Sequence, residues 1–161
     1  MNIEIERKFL LKNDSWLSAV TKKIAMRQGY LAEEAGITVR IRIEDDEAFM
    51  TVKGKPTTDK PLTRSEYTMP IPYDKAIKML EAFCPPHQQV VKTRHHVTFG
   101  EKLWEIDVFH DENDGLIVAE LELGSEDETF DLPDWLGDDV SHDSRYGNGR
   151  LSRNPYSKWI K

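Results

Sequence analysis

Residues Ile3-Glu4-Ile5-Glu6-Arg7-Lys8-Phe9-Leu10-Leu11 separate into two faces of opposite chemistry when they are read as a strand. Side chains alternate across a strand, so Ile3, Ile5, Phe9 and Leu11 share one face while Glu4, Glu6 and Lys8 line the other. One such face alone is ordinarily a solvated sheet surface, because charged side chains stay in water unless they are paired. The pattern recurs, however, along the whole chain. Thr38, Arg40 and Arg42 oppose Ile37, Val39, Ile41 and Ile43; Thr51 and Lys53 oppose Met50 and Val52; Arg64 and Glu66 oppose Tyr67 and Met69. Lys92 and Arg94 follow Val91, Glu105 and Asp107 alternate with Trp104, Ile106 and Val108, and Glu120 and Glu122 alternate with Ala119, Leu121 and Leu123.

Strands are expected over 3–12, 25–32 and 88–99, over 102–109 and 116–123, and around Val39, Phe49 and Tyr67. Asp45-Asp46 and Asp111 to Gly115 supply the turn chemistry between neighbours, and Glu33 to Gly36 forms another turn. Gly54 to Pro61, with glycine and two prolines, reads as a long loop. Asn13-Asp14-Ser15 offers capping side chains for a short helix over 16–23. A second helix is expected over 72–83, where Ala76, Ile77, Leu80 and Phe83 fall at helical spacing, and a short third over 149–153.

Two helices of useful length cannot cover the apolar faces of so many strands if the charged faces look outward. Closing about eight antiparallel strands into a barrel, charged faces inside and apolar faces partly covered by helices, satisfies both demands. The expected fold is therefore a mainly β, eight-stranded antiparallel β-barrel or tunnel with a charged interior and a few covering helices.

A chain of 161 residues fits one domain over 1–161 with a sizeable core. Its formal net charge of −7 argues against nucleic acid or an anionic membrane as partner. The single cysteine, Cys84, allows no internal disulfide and no thiolate zinc site, and reads as a buried structural thiol in a reducing compartment. No secretory leader pattern and no apolar run of bilayer length is present, so the expected location is the cytoplasm. Nothing in the chain forbids a homodimer.

The inward-facing cations are Lys8, Arg40, Arg42, Lys53, Arg64, Lys92 and Arg94; the anions are Glu4, Glu6, Glu66, Glu105, Asp107, Glu120 and Glu122. Burying them is expensive unless each finds a partner or a ligand. Converging guanidinium and ammonium groups suit phosphate oxygens. Carboxylates without His or Cys partners select hard divalent cations such as Mg²⁺ or Mn²⁺. The joint expectation is a metal-bound, multiply phosphorylated small molecule.

Glu4-Ile5-Glu6-Arg7-Lys8 also matches the ExExK signature of the CYTH superfamily, the triphosphate tunnel metalloenzymes. The resemblance continues in order through Arg27-Gln28-Gly29-Tyr30-Leu31, Arg40 and Arg42, Thr51-Val52-Lys53-Gly54, Arg64-Ser65-Glu66-Tyr67, Lys92-Thr93-Arg94, Glu105-Ile106-Asp107-Val108, Glu120-Leu121-Glu122 and Asp143-Ser144-Arg145-Tyr146. It implies a divalent-metal-dependent hydrolase of a triphosphate, most similar to the small bacterial tripolyphosphatases. Glu4, Glu6 and Glu122, with Asp107 and Glu120, are implied as metal ligands. Lys8, Arg40, Arg42, Lys53, Arg64, Lys92 and Arg94 are implied as substrate-binding residues, and Lys8, Asp107, Glu120 and Glu122 as catalytic ones. Thiamine triphosphatase, class IV adenylyl cyclase and a non-catalytic polyphosphate-binding module stay open at this point, as does one metal versus two.

Other features read more plainly. His95 and His96 point to opposite faces of a strand, so both cannot reach one ion. Glu33-Glu34 and Glu126-Asp127-Glu128 are expected in solvated turns, and Trp104, Trp135 and Trp159 in packing. Arg145, Arg150 and Arg153 either stopper one tunnel end or decorate a surface helix.

Overall fold

The computed structural model of the chain describes residues 3–159. Its strands are β1 (Ile3–Leu11), β2 (Val20–Glu34), β3 (Ile37–Glu44), β4 (Glu47–Lys53), β5 (Thr63–Pro70), β6 (Val90–Phe99), β7 (Lys102–Phe109), β8 (Ile117–Glu122) and β9 (Leu136–Asp139). They lie in the order β5-β4-β3-β2-β6-β7-β8-β1-β9, and β5 returns to pair with β1 over Ile3 to Ile5. The first eight strands thus close into an antiparallel barrel. β9 takes the other half of the same β1 edge, opposite Phe9 and Leu11, where β5 no longer reaches.

Residues directly opposite each other on paired strands share a face. Lys8 stands opposite Glu120, Glu6 opposite Glu122, Arg94 opposite Asp107, Arg40 opposite Thr51 and Lys53 opposite Glu66. Every charged face therefore turns to the same side, the lumen, as the alternation predicts.

The apolar faces look outward and are covered in patches. Helix α1 (Tyr73–Phe83) presses Ala76 and Leu80 onto Ile41, Ile43 and Ala48 of β3 and β4. Elsewhere Phe9, Trp104, Ile106 and Leu121 are roofed by Trp16 and Trp135. The barrel passes close to α1 at Gly29, where a Cβ would lie 2.6 Å from the Cys84 Sγ and 2.9 Å from a Leu80 methyl. Gly29→Ala is accordingly expected to destabilise the fold by about 1–3 kcal/mol through overpacking. Chemical denaturation with an unchanged midpoint would show instead that α1 yields without strain.

At one end the lumen changes character. Val90, Phe109 and Val118 occupy lumen-facing register positions, and helix α2 (Asn148–Arg153) inserts Leu151 among them beside Tyr146. This apolar stopper closes that end with the C-terminal segment.

The remaining differences from the sequence expectations have physical causes. The helix expected over 16–23 is a 3-10 turn, Ser15–Ala19, and the chain is already extended at Val20. Val20 and Thr21 are β-branched, and the pairing of Val20 with Val97 extends β2 well before Ala25. Glu33 and Glu34 end β2 rather than forming a turn, and Glu33 pairs with Arg153 at 2.9 Å. Glu126 is not simply solvated, because its carboxylate accepts from the Leu62 amide and the Thr63 hydroxyl. Of the three C-terminal arginines, Arg145 stacks over Trp159 outside, Arg153 ties α2 to β2, and Arg150 reaches the cavity wall.

Candidate active site

The lumen encloses a cavity of about 720 Å³. Glu4, Glu6, Lys8, Arg40, Arg42, Lys53, Arg64, Lys92, Arg94, Glu120 and Glu122 all line it. Asp107 does not: it lies 1% exposed behind the wall. Tyr30, Thr38, Thr68 and Asn148 also line the cavity. Alternation places Thr38 on this face beside Arg40 and Arg42, whereas Tyr30, Thr68 and Asn148 are uncharged and carry no signal in the charge pattern.

Asp107 organises the deepest cations. Its two oxygens accept from the Arg94 Nε and Nη2 at 2.8 and 2.9 Å, and Lys92 Nζ adds a bond of 2.7 Å. Burial opposes ionisation of Asp107, but Arg94 and Lys92 outweigh it and hold the carboxyl below its ordinary value. Arg94 spends its remaining Nη2 donor on Glu120 at 2.6 Å. Lys92 also donates to Asn148 of α2 at 3.1 Å; burial, with Arg94 nearby, lowers its ammonium to about 8 against the pull of Asp107.

The β1–β8 wall carries a surplus of negative charge. Lys8 Nζ bridges Glu120 at 2.9 Å and Glu6 at 3.3 Å. Burial disfavours the Glu120 carboxylate, yet Lys8, Arg94 and Lys92 hold it well below the usual range. Glu6 goes the other way. Burial, with Glu120 beside it, pushes its carboxyl up to about 8. Glu122 at the mouth is raised too, by burial and then by Glu4, Glu66 and Glu105. Glu4 is the better neutralised carboxylate, held by Lys53 at 2.9 and 3.0 Å and by Arg64 at 3.4 Å.

The β3 wall is the counterpart. Arg40 donates to the Thr51 hydroxyl at 3.2 Å, and Arg42 pairs with Glu44 at 2.7 Å. The Nε–H groups of both arginines are buried without a partner among the described residues. Burial and the adjacent Arg40 push the Arg42 guanidinium down to about 10, opposed by Glu44. In the ring of eight strands β3 and β8 stand four places apart, so the unsatisfied guanidinium wall faces the carboxylate-rich wall across the lumen.

Among the described residues no three His, Cys, Asp or Glu side chains converge tightly enough to hold a metal ion. Ammonium groups occupy the gaps instead, Lys8 between Glu6 and Glu120 and Lys53 against Glu4. The donor chemistry nevertheless fits a hard divalent cation. Glu4, Glu6, Glu120 and Glu122 offer only carboxylate oxygens, and added positive charge would offset the burial and the Glu120 repulsion that raise the Glu6 carboxyl.

Glu6 also sets a pH dependence. Its folded-state pKa lies above the ordinary value, so the metal-free chain carries one proton more than the unfolded chain between pH 4.5 and about 8. Stability should therefore fall as pH rises through that window, and Glu6→Gln should flatten the slope. Melting temperatures of both proteins across pH 5–8 measure this, and parallel curves would refute it.

A closed antiparallel tunnel with an arginine wall facing a carboxylate wall has charges that suit a small polyanion together with a cation. The comparisons give that class its family: the CYTH domain profile matches residues 2–154, and the chain belongs to the CYTH family. An inorganic triphosphatase of Acetivibrio thermocellus is 38% identical over 159 residues, covering 99% of both chains. An inorganic triphosphatase of Nitrosomonas europaea is 36% identical over 157 residues, covering 92% of this chain and 96% of that one. The crystal structure of an inorganic triphosphatase superposes with a TM-score of 0.64 at 31% identity, over 98% of this chain and 95% of the other. A Hippeastrum protein described as an adenylyl cyclase with dominant triphosphatase activity shares the fold at a TM-score of 0.57 and 13% identity, covering 78% of this chain and 80% of that one. No helix among the described residues is long and apolar enough to cross a membrane.

Proposed function

We propose that this chain hydrolyses inorganic tripolyphosphate in a divalent-metal-dependent reaction inside the tunnel, in the cytoplasm. The observation that carries the reading is the polarity of the lumen: unpartnered guanidinium donors on β3 face surplus carboxylates on β1 and β8. A simple anion-binding module gains nothing from that second wall. Relatives of near-identical length at 38% and 36% identity are inorganic triphosphatases, which favours the inorganic substrate over a nucleotide or thiamine triphosphate.

Phosphoryl transfer to water asks the protein for positioning and charge neutralisation more than for covalent chemistry. Arg40 and Arg42 grip phosphate oxygens as planar forks, with Lys53 and Arg64 adding charge near the mouth. Lys92 and Arg94, locked by Asp107, keep their donors fixed while charge spreads over the transferred phosphoryl group. In this reading Asp107 is a positioning residue rather than a metal ligand, because it lies buried behind the cavity wall, outside the lumen that the substrate and a cation would occupy, and spends its oxygens on Arg94 and Lys92. Glu4, Glu6, Glu120 and Glu122 would hold Mg²⁺ or Mn²⁺. The bound metal supplies charge neutralisation and a more acidic water.

Phosphate release from tripolyphosphate, ATP and thiamine triphosphate, each with Mg²⁺ and with Mn²⁺ and with products identified, tests the proposal. Tripolyphosphate should be the best substrate. Cyclic nucleotide from ATP would assign the chain to cyclase chemistry, and tight tripolyphosphate binding without turnover would make it a sensor.

A further inference from the structure

Among the described residues, three of the buried side-chain atoms that lack a hydrogen-bond partner belong to Gln28, Arg40 and Arg42, neighbours across the β2–β3 pairing. Arg42 stands opposite Gln28, and Arg40 opposite Tyr30. Unpaired buried polar atoms are rare and costly, and the Arg40 and Arg42 Nε–H groups are donors on a cavity-lining wall, so they mark a place where an anionic ligand completes the bonding; the Gln28 Oε1 is an acceptor and takes no part in that. Gln28 is 0% exposed and does not line the cavity, whereas Tyr30 does. The Gln28 Nε2 donates to the Tyr30 hydroxyl oxygen at 3.2 Å. A phenol that accepts through its oxygen keeps its own proton for another acceptor. Between the cavity and two guanidinium groups, the acceptor that fits is a phosphate oxygen.

We infer that Tyr30 is a substrate-contacting residue, a neutral donor to the triphosphate beside Arg40 and Arg42, and that Gln28 is the positioning residue that aims it. The inference rests on the triphosphate reading of the tunnel. A neutral donor contributes what another arginine could not. Arg42 already feels the repulsion of Arg40, and a third guanidinium on this wall would add to it. The phenol completes the grip without added like-charge repulsion, and its rigid ring has few rotamers to lose.

The test is calorimetric titration of tripolyphosphate, with and without Mg²⁺, into the full chain and into Tyr30→Phe, Gln28→Met and the double variant, with KM and kcat measured in parallel. Both substitutions keep side-chain volume, and circular dichroism with melting temperature checks the fold. Tyr30→Phe should weaken binding about tenfold or more, the size expected for a lost hydrogen bond to a charged group. Gln28→Met should produce part or all of that loss, and the double variant should bind no worse than Tyr30→Phe alone, because Gln28 acts through Tyr30. Tyr67→Phe, half-exposed on the outer face, should leave binding unchanged. Wild-type binding in Tyr30→Phe overturns the contact, and additive losses overturn the positioning role of Gln28. A wild-type chain that neither binds nor hydrolyses tripolyphosphate overturns the functional reading and this contact with it.

Discussion

Replacing Arg94 by alanine is expected to lower kcat/KM for tripolyphosphate by about 10²–10³-fold, the range lost with one preorganised donor to developing transition-state charge. Arg94 is the junction of the site. It binds Asp107 through two nitrogens and Glu120 through a third contact, with Glu105 at 3.3 Å beyond. Its removal leaves Asp107 with Lys92 and Glu120 with Lys8, so these cations turn from the substrate toward the stranded carboxylates. A loss of about 3–5 kcal/mol in unfolding free energy should accompany the kinetic effect, because buried charge is left uncompensated. Arg94→Lys should restore part of the stability but little of the rate, since an ammonium cannot reproduce the planar fork. Steady-state phosphate release and denaturant unfolding measure both. Near wild-type rates in a folded Arg94→Ala protein would reduce the whole Asp107 cluster to a scaffold.

Removal of divalent metal is expected to abolish phosphate release, with activity returning on adding back Mg²⁺ or Mn²⁺. The variant that should reproduce the effect is Glu6→Gln. Loss of an outer-shell partner already costs about 10–100-fold in metal affinity or activity, so loss of a direct ligand should cost about 100-fold or more at limiting metal. The fold should survive, because the Glu6 carboxyl is already protonated at neutral pH without metal and glutamine preserves its shape. Metal binding at pH 7 should release close to one proton from wild type and none from Glu6→Gln. Calorimetry in two buffers of different ionisation enthalpy reads that number directly. Full activity in chelator, or equal proton release from both proteins, would take Glu6 out of the metal site.

The charged lumen was legible because its signal is local. Alternation over Ile3 to Leu11, Ile37 to Ile43 and Ala119 to Leu123 assigns each residue to a face without reference to any other part of the chain. Inward placement followed from a count of apolar faces against helices, and the CYTH resemblance rested on those inward residues together with Arg27 to Leu31 and Asp143 to Tyr146. Alternation is silent, however, about depth and partner. Asp107 and Glu120 read alike along a strand, yet one lies behind the cavity wall and the other on it. Uncharged Tyr30 and Gln28 gave no charge signal, and the lumen-facing Val90, Phe109 and Val118 looked like ordinary apolar strand residues until α2 was seated on them.

What the sequence determined alone was therefore which charged side chains face inward, and the chemistry they bring: carboxylates and cations within, with most of the alternating apolar groups without. The tertiary structure decided which of them meet. Lys8 finds Glu120 from 112 residues away, and Arg153 finds Glu33 from 120. It also decided that Val20 to Lys23 extends β2 instead of forming a helix, since pairing with β6 overrides local capping signals. The reason is physical: face alternation is a property of one strand, whereas ring position, depth and ion-pair partner arise only when strand registers lock and the barrel closes.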